Sequence, residues 1–354
     1  LTGSYCISVD AMGGDFGPRV TVAAASDALK RHPQLQILLV GQSDAITPQL
    51  GRHRGKHLQR LEVIHADDVV AMDEKPSLAL RSRRDSSMWK ALELVAQARA
   101  QACISAGNTG ALMAMSRLVL GMLPGIERPA IVAAIPTLKG YSYMLDLGAN
   151  IDSSAEQLLQ FAIMGSVMVE AIDSRERPQL ALLNVGSEDN KGTECVREAS
   201  RLIQAHGGLN FIGYLEGDDL FSGRADLVVC DGFVGNVALK SCEGLSKLLV
   251  RKVQSSFRRN LYRRFVALLA TPMLRELKKQ LDPGRRNGAT LLGLKGVVVK
   301  SHGGANRTYF GHAIDQAFEE ARLNVPARIG DQVAREMARC GNGRQMDAAD
   351  RSKN

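Results

Sequence analysis

The stretch Cys103-Ile104-Ser105-Ala106-Gly107-Asn108-Thr109-Gly110-Ala111-Leu112-Met113 decides the fold. Ala102 to Ile104 read as the end of a buried strand, and a helix is expected from near Ala111. Between them lies a turn of small and amide-bearing residues. Two glycines flank Asn108-Thr109, so the backbone can turn tightly and a ligand can approach its N–H groups. Those groups face the start of a helix, where unpaired donors and the dipole favour an anion. A plain strand-to-helix turn needs one glycine and one cap. Ser105, Asn108 and Thr109 supply more polar side chains than that, which points to a binding turn rather than a decorated one.

Working outward, the same strand–turn–helix grammar repeats. Tyr5 to Val9 reads as a first strand, ending in Asp10-Ala-Met-Gly13-Gly14-Asp15, with a helix over Val20 to Arg31. Gln36 to Val40 and Leu61 to His65 are expected strands, and Ser87 to Arg99 a helix. Beyond the central turn, Ala130 to Ile135 and Tyr141 to Leu145 are strands, the second closed by Asp146-Leu-Gly-Ala-Asn150. A helix over Gln157 to Ile172 precedes a strand at Leu180 to Asn184, and Thr193 to His206 is helical. Leu227 to Cys230 ends in Asp231-Gly232-Phe-Val-Gly-Asn236 and a long helical region. Val297 to Lys300 leads into Ser301-His302-Gly-Gly, before helices at His312 to Arg322 and Ile329 to Ala338. Alternating strands and helices imply an α/β fold with a mostly parallel sheet and helices on both faces. The expected organisation is one α/β domain over 1–340, an inserted amphipathic helical hairpin at about 245–282, and a polar, disordered tail over 341–354.

The bulk composition agrees. Of 354 residues, 45% are hydrophobic and only 5% aromatic, which suits a layered α/β protein better than an all-β one. No apolar run reads as long enough to span a bilayer, and the first ten residues lack a signal peptide's charged start and apolar middle. The six cysteines are scattered with no C-x-x-C, as in a reducing cytosol. The histidines form no metal-ligand spacing, so no metal and no cofactor are expected.

In such sheets ligands bind beyond the carboxyl ends of the strands. Six strand ends here carry Asp, Asn, Ser and Gly with a Lys or His nearby. The loop Asn184-Val-Gly-Ser187-Glu188-Asp-Asn-Lys191-Gly192 adds a carboxylate and a cation, and Lys191 can hold a phosphate as a point charge. Asp146 and Asp231, each before a glycine, orient a neighbour or cap a helix. His302 can serve as a proton donor or phosphate ligand. There is no G-x-x-x-x-G-K-[ST] and no G-x-S-x-G, which argues against a P-loop NTPase and a covalent serine hydrolase.

The net charge of +8 is local: Lys247 to Arg286 holds twelve Lys/Arg against two acids, leaving the rest near −2. Leu249, Val253, Phe257, Leu261 and Phe265 recur every four residues, while Lys247, Arg251, Lys252, Arg258, Arg259 and Arg263 lie mostly opposite. Pro272 is expected to end the first helix. The pattern predicts a hairpin lying in an anionic membrane interface, with neighbouring basic residues receiving an acidic partner; a helical pair packed on the core or on a second subunit is the plainer reading. Few aromatics interleave the charges, which disfavours nucleic acid.

Taken in order, Asp10-Ala-Met-Gly-Gly-Asp15, Ser105-Ala-Gly-Asn-Thr-Gly-Ala111, Leu145-Asp-Leu-Gly-Ala-Asn150, Asn184-Val-Gly-Ser-Glu188 with Lys191-Gly192, Asp231-Gly-Phe-Val-Gly-Asn236 and Gly288-Ala-Thr-Leu-Leu-Gly-Leu294 resemble the PlsX-type phosphate acyltransferases of bacterial phospholipid synthesis. The resemblance runs from about Ile7 to Ala338. It implies a Rossmann-like three-layer α/β/α fold, related to phosphotransacetylases and to isocitrate and isopropylmalate dehydrogenases. It also implies a cytoplasmic homodimer held peripherally at the inner face of the cell membrane. The implied reaction moves a long-chain acyl group from acyl-acyl carrier protein to inorganic phosphate. The acyl phosphate product would pass to an acyl phosphate-using glycerol-3-phosphate acyltransferase.

One departure from the family is Ser187, where many relatives carry Glu, leaving Glu188 as the acidic residue. On this reading Asn108, Asn184, Glu188, Lys191, Asn236 and His302 carry the chemistry. Asp10, Gly13, Gly14, Asp15, Ser105, Gly107, Thr109, Gly110, Asp146, Asn150, Gly192, Asp231 and Gly232 surround the substrate, and Phe257, Leu261, Phe265, Arg258, Arg259, Arg263 and Arg264 meet the membrane or carrier. The competing functions are an NAD-dependent dehydrogenase of the shared fold and a basic membrane- or nucleic-acid-binding protein.

Overall fold

A computed structural model describes residues 3–257, 261–280 and 287–335. The first strands, β1 (Tyr5–Asp10), β2 (Leu35–Gly41) and β3 (Leu61–His65), alternate with the helices α1 (Pro18–Arg31) and α2 (Ser43–Leu50). Next come α3 (Pro76–Ser82), α4 (Ser87–Ala96), β4 (Ala102–Ser105) and α5 (Thr109–Val119). The middle of the chain gives β5 (Ala130–Thr137), β6 (Gly140–Leu145), α6 (Ala155–Asp173), β7 (Gln179–Leu183), α7 (Glu194–His206), β8 (Asn210–Leu215) and β9 (Leu227–Val229). Two long helices, α8 (Gly232–Phe257) and α9 (Leu261–Gln280), precede β10 (Ala289–Leu292), β11 (Val297–Lys300) and α10 (Arg307–Leu323). A further helix covers 325–335.

All eleven strands form one sheet in the order β3-β2-β1-β4-β11-β10-β5-β6-β9-β7-β8. Successive side chains of a strand take opposite faces, and the core divides accordingly. Cys103 and Val298 pack with α4 and α5 on one face, while Ile104, Val297 and Val299 pack with α1 and α10 on the other. In the second half Val132, Leu145, Leu182 and Val229 meet α6 and α7. The near-continuous apolar strands belong to a sheet covered on both sides. Capping is local and legible: Asn108, Ser154, Thr193 and Asn306 each accept the backbone N–H three residues on.

The sheet is not uniformly parallel, and this changes where the strand ends lie. β3, β2, β1, β4 and β11 run together, and β6, β9, β7 and β8 run together. Between them β10 pairs antiparallel with β11 and β5, and β5 pairs antiparallel with β6. The second parallel block therefore points the other way. The six polar strand ends fall into two groups of three, those of β1, β4 and β11 and those of β6, β7 and β9. Four strand-to-strand steps separate β4 from β6, and a twist of ~20–25° per step turns one block roughly perpendicular to the other.

Two other expectations need correction. The stretch expected as a hairpin at about 245–282 takes in the later part of α8, which starts at Gly232, and α9. Pro272 does not end a helix: it lies inside α9. The carbonyl that Pro272 deprives of a donor belongs to Leu268, a residue 70% exposed, so water can serve it. Arg258, Arg259 and the tail 341–354 lie outside the described residues, as do the side chains of Leu261, Arg263 and Arg264. Among the described residues one helix, α6, is long and apolar enough to cross a membrane, contrary to the expectation that no run is. Two-thirds of its apolar window (67%) is buried inside the fold, as befits a core helix.

Candidate active site

The first cluster forms where β1, β4 and β11 end side by side. Asp10 is buried; its Oδ2 accepts from the Ser105 hydroxyl at 2.6 Å and its Oδ1 from the Ser87 hydroxyl at 2.7 Å. Burial pushes its carboxyl above the ordinary range, while Ser105, Ser87 and the N–H groups of Met12 and Gly13 pull it back. Ser105 Oγ in turn accepts the Gly107 N–H at 3.0 Å. The three loops are laced by backbone bonds from Asp15 N to Gly303 O and from Ser301 N to Ser105 O, both 2.9 Å.

Glycine is required where these loops meet. A Cβ on Gly13 would lie 2.7 Å from Gly107 N. One on Gly14, at φ +86°, would lie 2.9 Å from Gly303 O and from Ala106 Cβ. The result is a shallow floor of peptide groups beside the N-terminus of α5. Ala111 N is capped by Asn108 Oδ1, and no acceptor takes the N–H groups of Thr109 and Gly110 among the described residues. Asn108 itself is committed to structure: its amide hydrogens go to the carbonyls of Met72 and Glu74, each at 2.9 Å. It holds the 71–74 loop rather than facing a ligand. His302 is exposed beside the floor; Nδ1 accepts from Gly304 N at 3.0 Å, so the neutral ring carries its proton on Nε2.

Two lysines absent from the sequence expectation belong here. Lys300 is 9% exposed, and its ammonium donates to the carbonyls of Ala106 and Ser301. Desolvation lowers its pKa to about 8; Asp10 and Asp15 oppose that shift and the charge of Lys240 adds to it. A lysine closing the apolar strand Val297-Val-Val-Lys300 was the available signal. Lys240 had none, because it shares its helix with many other basic residues.

The second cluster, where β6, β7 and β9 end, is centred on a carboxylate wrapped in its own loop. Asp146 is fully buried. Oδ1 accepts from Ile131 N at 2.9 Å, Ala149 N at 3.1 Å and Gly148 N at 3.3 Å, and Oδ2 from Asn150 N at 2.7 Å and Asn150 Nδ2 at 3.0 Å. Asn150 Nδ2 also donates to Pro129 O. Burial is the largest influence on Asp146 and raises its pKa despite these donors. The start of α8 is pressed on this loop: a Cβ on Gly232 would lie 2.4 Å from Asn150 O, and one on Gly235 1.9 Å from Asp146 O. Asp231 caps α8, accepting from Val234 N at 2.9 Å. Asn184 is buried, donates to Lys191 O and leaves no room for a Cβ on Gly192. Glu188, Lys191 and Asn236 are exposed above this frame.

The helix α8 links the two clusters. Asn236 lies against Gly148 in the second, and Lys240, one turn and about 6 Å of rise further along, acts on Lys300 in the first. A cavity of about 570 Å³ opens beside the second cluster, lined by Arg128, Asp152, Ser153, Gln157, Glu194 and Cys195 among others. No group of side chains among the described residues has the makings of a metal site. Past Lys240, α8 and α9 expose Leu245, Leu249, Val253, Tyr262, Phe265, Leu268 and Met273, each at 45% or more.

Comparisons with known proteins agree with this geometry. The model of a family described as fatty acid synthesis protein matches residues 5–328. A phosphate acyltransferase of Pseudomonas savastanoi pv. phaseolicola is 56% identical over 323 residues, 91% of this chain and 95% of that protein. Phosphate acyltransferases of Alkalilimnicola ehrlichii (53% over 333 residues, 94% of this chain and 97% of theirs) and Legionella pneumophila (52% over 327 residues, 92% and 96%) are similar over the same span. Among solved structures, a phosphotransacetylase from Streptococcus pyogenes superposes with a TM-score of 0.58 at 17% identity, covering 94% of each chain. A 4-hydroxythreonine-4-phosphate dehydrogenase from Klebsiella pneumoniae does so at 0.55 and 14%, covering 90% of this chain and 100% of its own. At such identities these structures share the fold, and nothing of their chemistry follows.

Proposed function

This chain belongs to the fatty acid synthesis protein family, alongside the phosphate acyltransferases, and from that premise we propose that it transfers a long-chain acyl group from an acyl carrier protein thioester to inorganic phosphate. The observation that carries the site assignment is the glycine floor at Gly13, Gly14 and Gly107, beside the unclaimed N–H groups of Thr109 and Gly110. A dehydrogenase is not favoured, since the relatives that share half the sequence are acyltransferases.

Phosphate is already an anion at neutral pH and needs positioning and partial desolvation more than a strong base. One of its oxygens attacks the thioester carbonyl, a C–O bond forms, and collapse of the tetrahedral oxyanion breaks the C–S bond. The electron pair leaves on a pantetheine thiolate, whose conjugate thiol has a pKa of about 8.5, so the demand for a general acid is modest. Fixed donors are what the reaction needs. The floor and the α5 N-terminus hold phosphate, with His302 at its rim. Asn236 and Lys240, on successive turns of α8, and Lys191 across the loop face the thioester and its oxyanion. No side-chain nucleophile takes part: Cys103 is fully buried, and burial pushes its thiol far up.

The partners follow from the surface. The exposed apolar run on α8 and α9, beside Lys247, Arg251 and Lys252, suits an anionic membrane interface and an acidic carrier protein. The product would pass there to an acyl phosphate-using glycerol-3-phosphate acyltransferase, with the enzyme cytoplasmic and peripheral. Ile151 and Val185, more than three-quarters exposed in the single chain, supply apolar surface for a homodimer.

Incubation with palmitoyl-acyl carrier protein and phosphate, followed by hydroxylamine, tests the reaction. Phosphate-dependent hydroxamate is expected, and its absence with folded protein rejects the function. Liposome sedimentation tests the hairpin. Leu249→Glu with Phe265→Glu should lose most binding to anionic vesicles, and equal binding by both proteins would leave the helices a packing surface instead.

A further inference from the structure

Lysine is seldom buried without a carboxylate in contact, because removing its charge from water is costly. Lys300 is such a lysine: among the described residues its direct partners are two backbone carbonyls, those of Ala106 and Ser301. An apolar residue could close β11 and pack the core without that cost. The burial therefore calls for a role beyond folding.

The position supplies one. Ala106 precedes Gly107 in the loop after β4, and Ser301 opens the loop after β11 that receives the Asp15 N–H through Gly303. The ammonium thus ties together two of the three loops that make the glycine floor, and Asp15 ties in the third. The charged groups acting on it are Asp10 from β1, Asp15 from the loop after it, and Lys240 from α8. His302 lies two residues further on. Without Lys300, a phosphate on this floor would face two carboxylates opposed by Lys240 alone.

We propose that Lys300 is the positioning cation of the phosphate site, clamping the loops after β4 and β11 in register and offsetting Asp10 and Asp15 so that a phosphate anion can settle on the floor. This rests on the reading that phosphate binds there. The charge on Lys300 is then part of binding, and affinity for phosphate falls as that charge is lost above a pH of about 8. Phosphate gains charge over the same range, so its own titration does not explain such a fall.

The test is the phosphate dependence of hydroxamate formation between pH 7 and about 9.5, for wild type, Lys300→Met and Lys300→Arg, with urea unfolding as the check on folding. In wild type the KM for phosphate should rise on the alkaline side while kcat changes less. Lys300→Met should raise that KM at least about tenfold at pH 7 and flatten its pH dependence. Lys300→Arg, charged throughout, should restore part of the affinity and move the alkaline rise beyond the range. A folded Lys300→Met protein with wild-type KM and an unchanged alkaline rise overturns the proposal. If neither variant folds, the wild-type profile decides alone: a KM that is flat to pH 9.5 rejects it. Hydroxamate formation by wild type that ignores phosphate would instead overturn the functional reading beneath it.

Discussion

Asp10 and Asp146 are both buried carboxylates at the end of an apolar strand, each followed within two or three residues by glycine, yet they do different work. Asp10 is held mainly by hydroxyls from other elements, Ser87 on α4 and Ser105 on β4. Asp146 is held almost wholly by N–H groups of its own loop and of β5. The first arrangement joins three strand ends into an open floor with a cation beneath it. The second makes a closed knot on which α8 is seated, with Lys191 and Asn236 exposed above it. Similar residues at a strand end can thus build either a site or the foundation for one, and the partner atoms decide which.

If the second cluster is a foundation, its disruption should cost the fold first. Gly235→Ala drives a Cβ to within 1.9 Å of Asp146 O, and we expect a loss of more than about 3 kcal/mol in urea unfolding. A stable Gly235→Ala protein would mean that α8 is not seated as described. The two carboxylates can be set against each other directly. Asp146→Asn places an NH₂ group against N–H donors and should cost about 3 kcal/mol. Asp10→Asn faces hydroxyls that can rotate to donate or accept, and should cost about 1 kcal/mol. Equal costs would erase the distinction. Burial raises both carboxyl pKa values, so each contributes stability at acid pH that is lost as pH rises through the folded-state value. Asp10→Asn should flatten that fall in urea midpoint with rising pH.

For the exposed residues the expectation reverses, with activity lost and the fold kept. Lys191→Ala should lower turnover roughly a hundredfold, a contact of ~3 kcal/mol, without shifting the unfolding midpoint. Near wild-type turnover would remove Lys191 from the reaction. The smallest effect is expected from Cys103→Ala, which should keep its phosphate-dependent activity. Complete loss in folded protein would point to a covalent intermediate.

The strands, the long helices and the glycine turns were readable from sequence because each depends on neighbours within a few residues. The Gly107–Gly110 turn is such a case, whereas Asn108, expected to carry chemistry, caps α5 and holds the 71–74 loop. Sheet direction is not local. The four residues of β10, read only as part of the block Gly288 to Leu294, pair antiparallel on both sides, reverse the sheet and divide the strand ends into two groups. β8 also escaped notice, since Gly213 interrupts its apolar run. Lys300 closes its strand beside His302, and the sequence favours the histidine. Composition cannot distinguish a lysine that faces water from one folded over the carbonyls of Ala106 and Ser301. Pro272 misled for the converse reason: a helix exposed to water can carry an unpaired carbonyl that a buried one could not.

The central claim is that phosphate rests on the floor between the loops after β1, β4 and β11. Crystals grown without phosphate and soaked in tungstate, located by anomalous scattering, test it most directly. A tungstate peak is expected within hydrogen-bond distance of the Thr109 and Gly110 N–H groups, above Gly13 and Gly14. A peak held instead by Lys191 and Asn236, with the glycine floor empty, would contradict it.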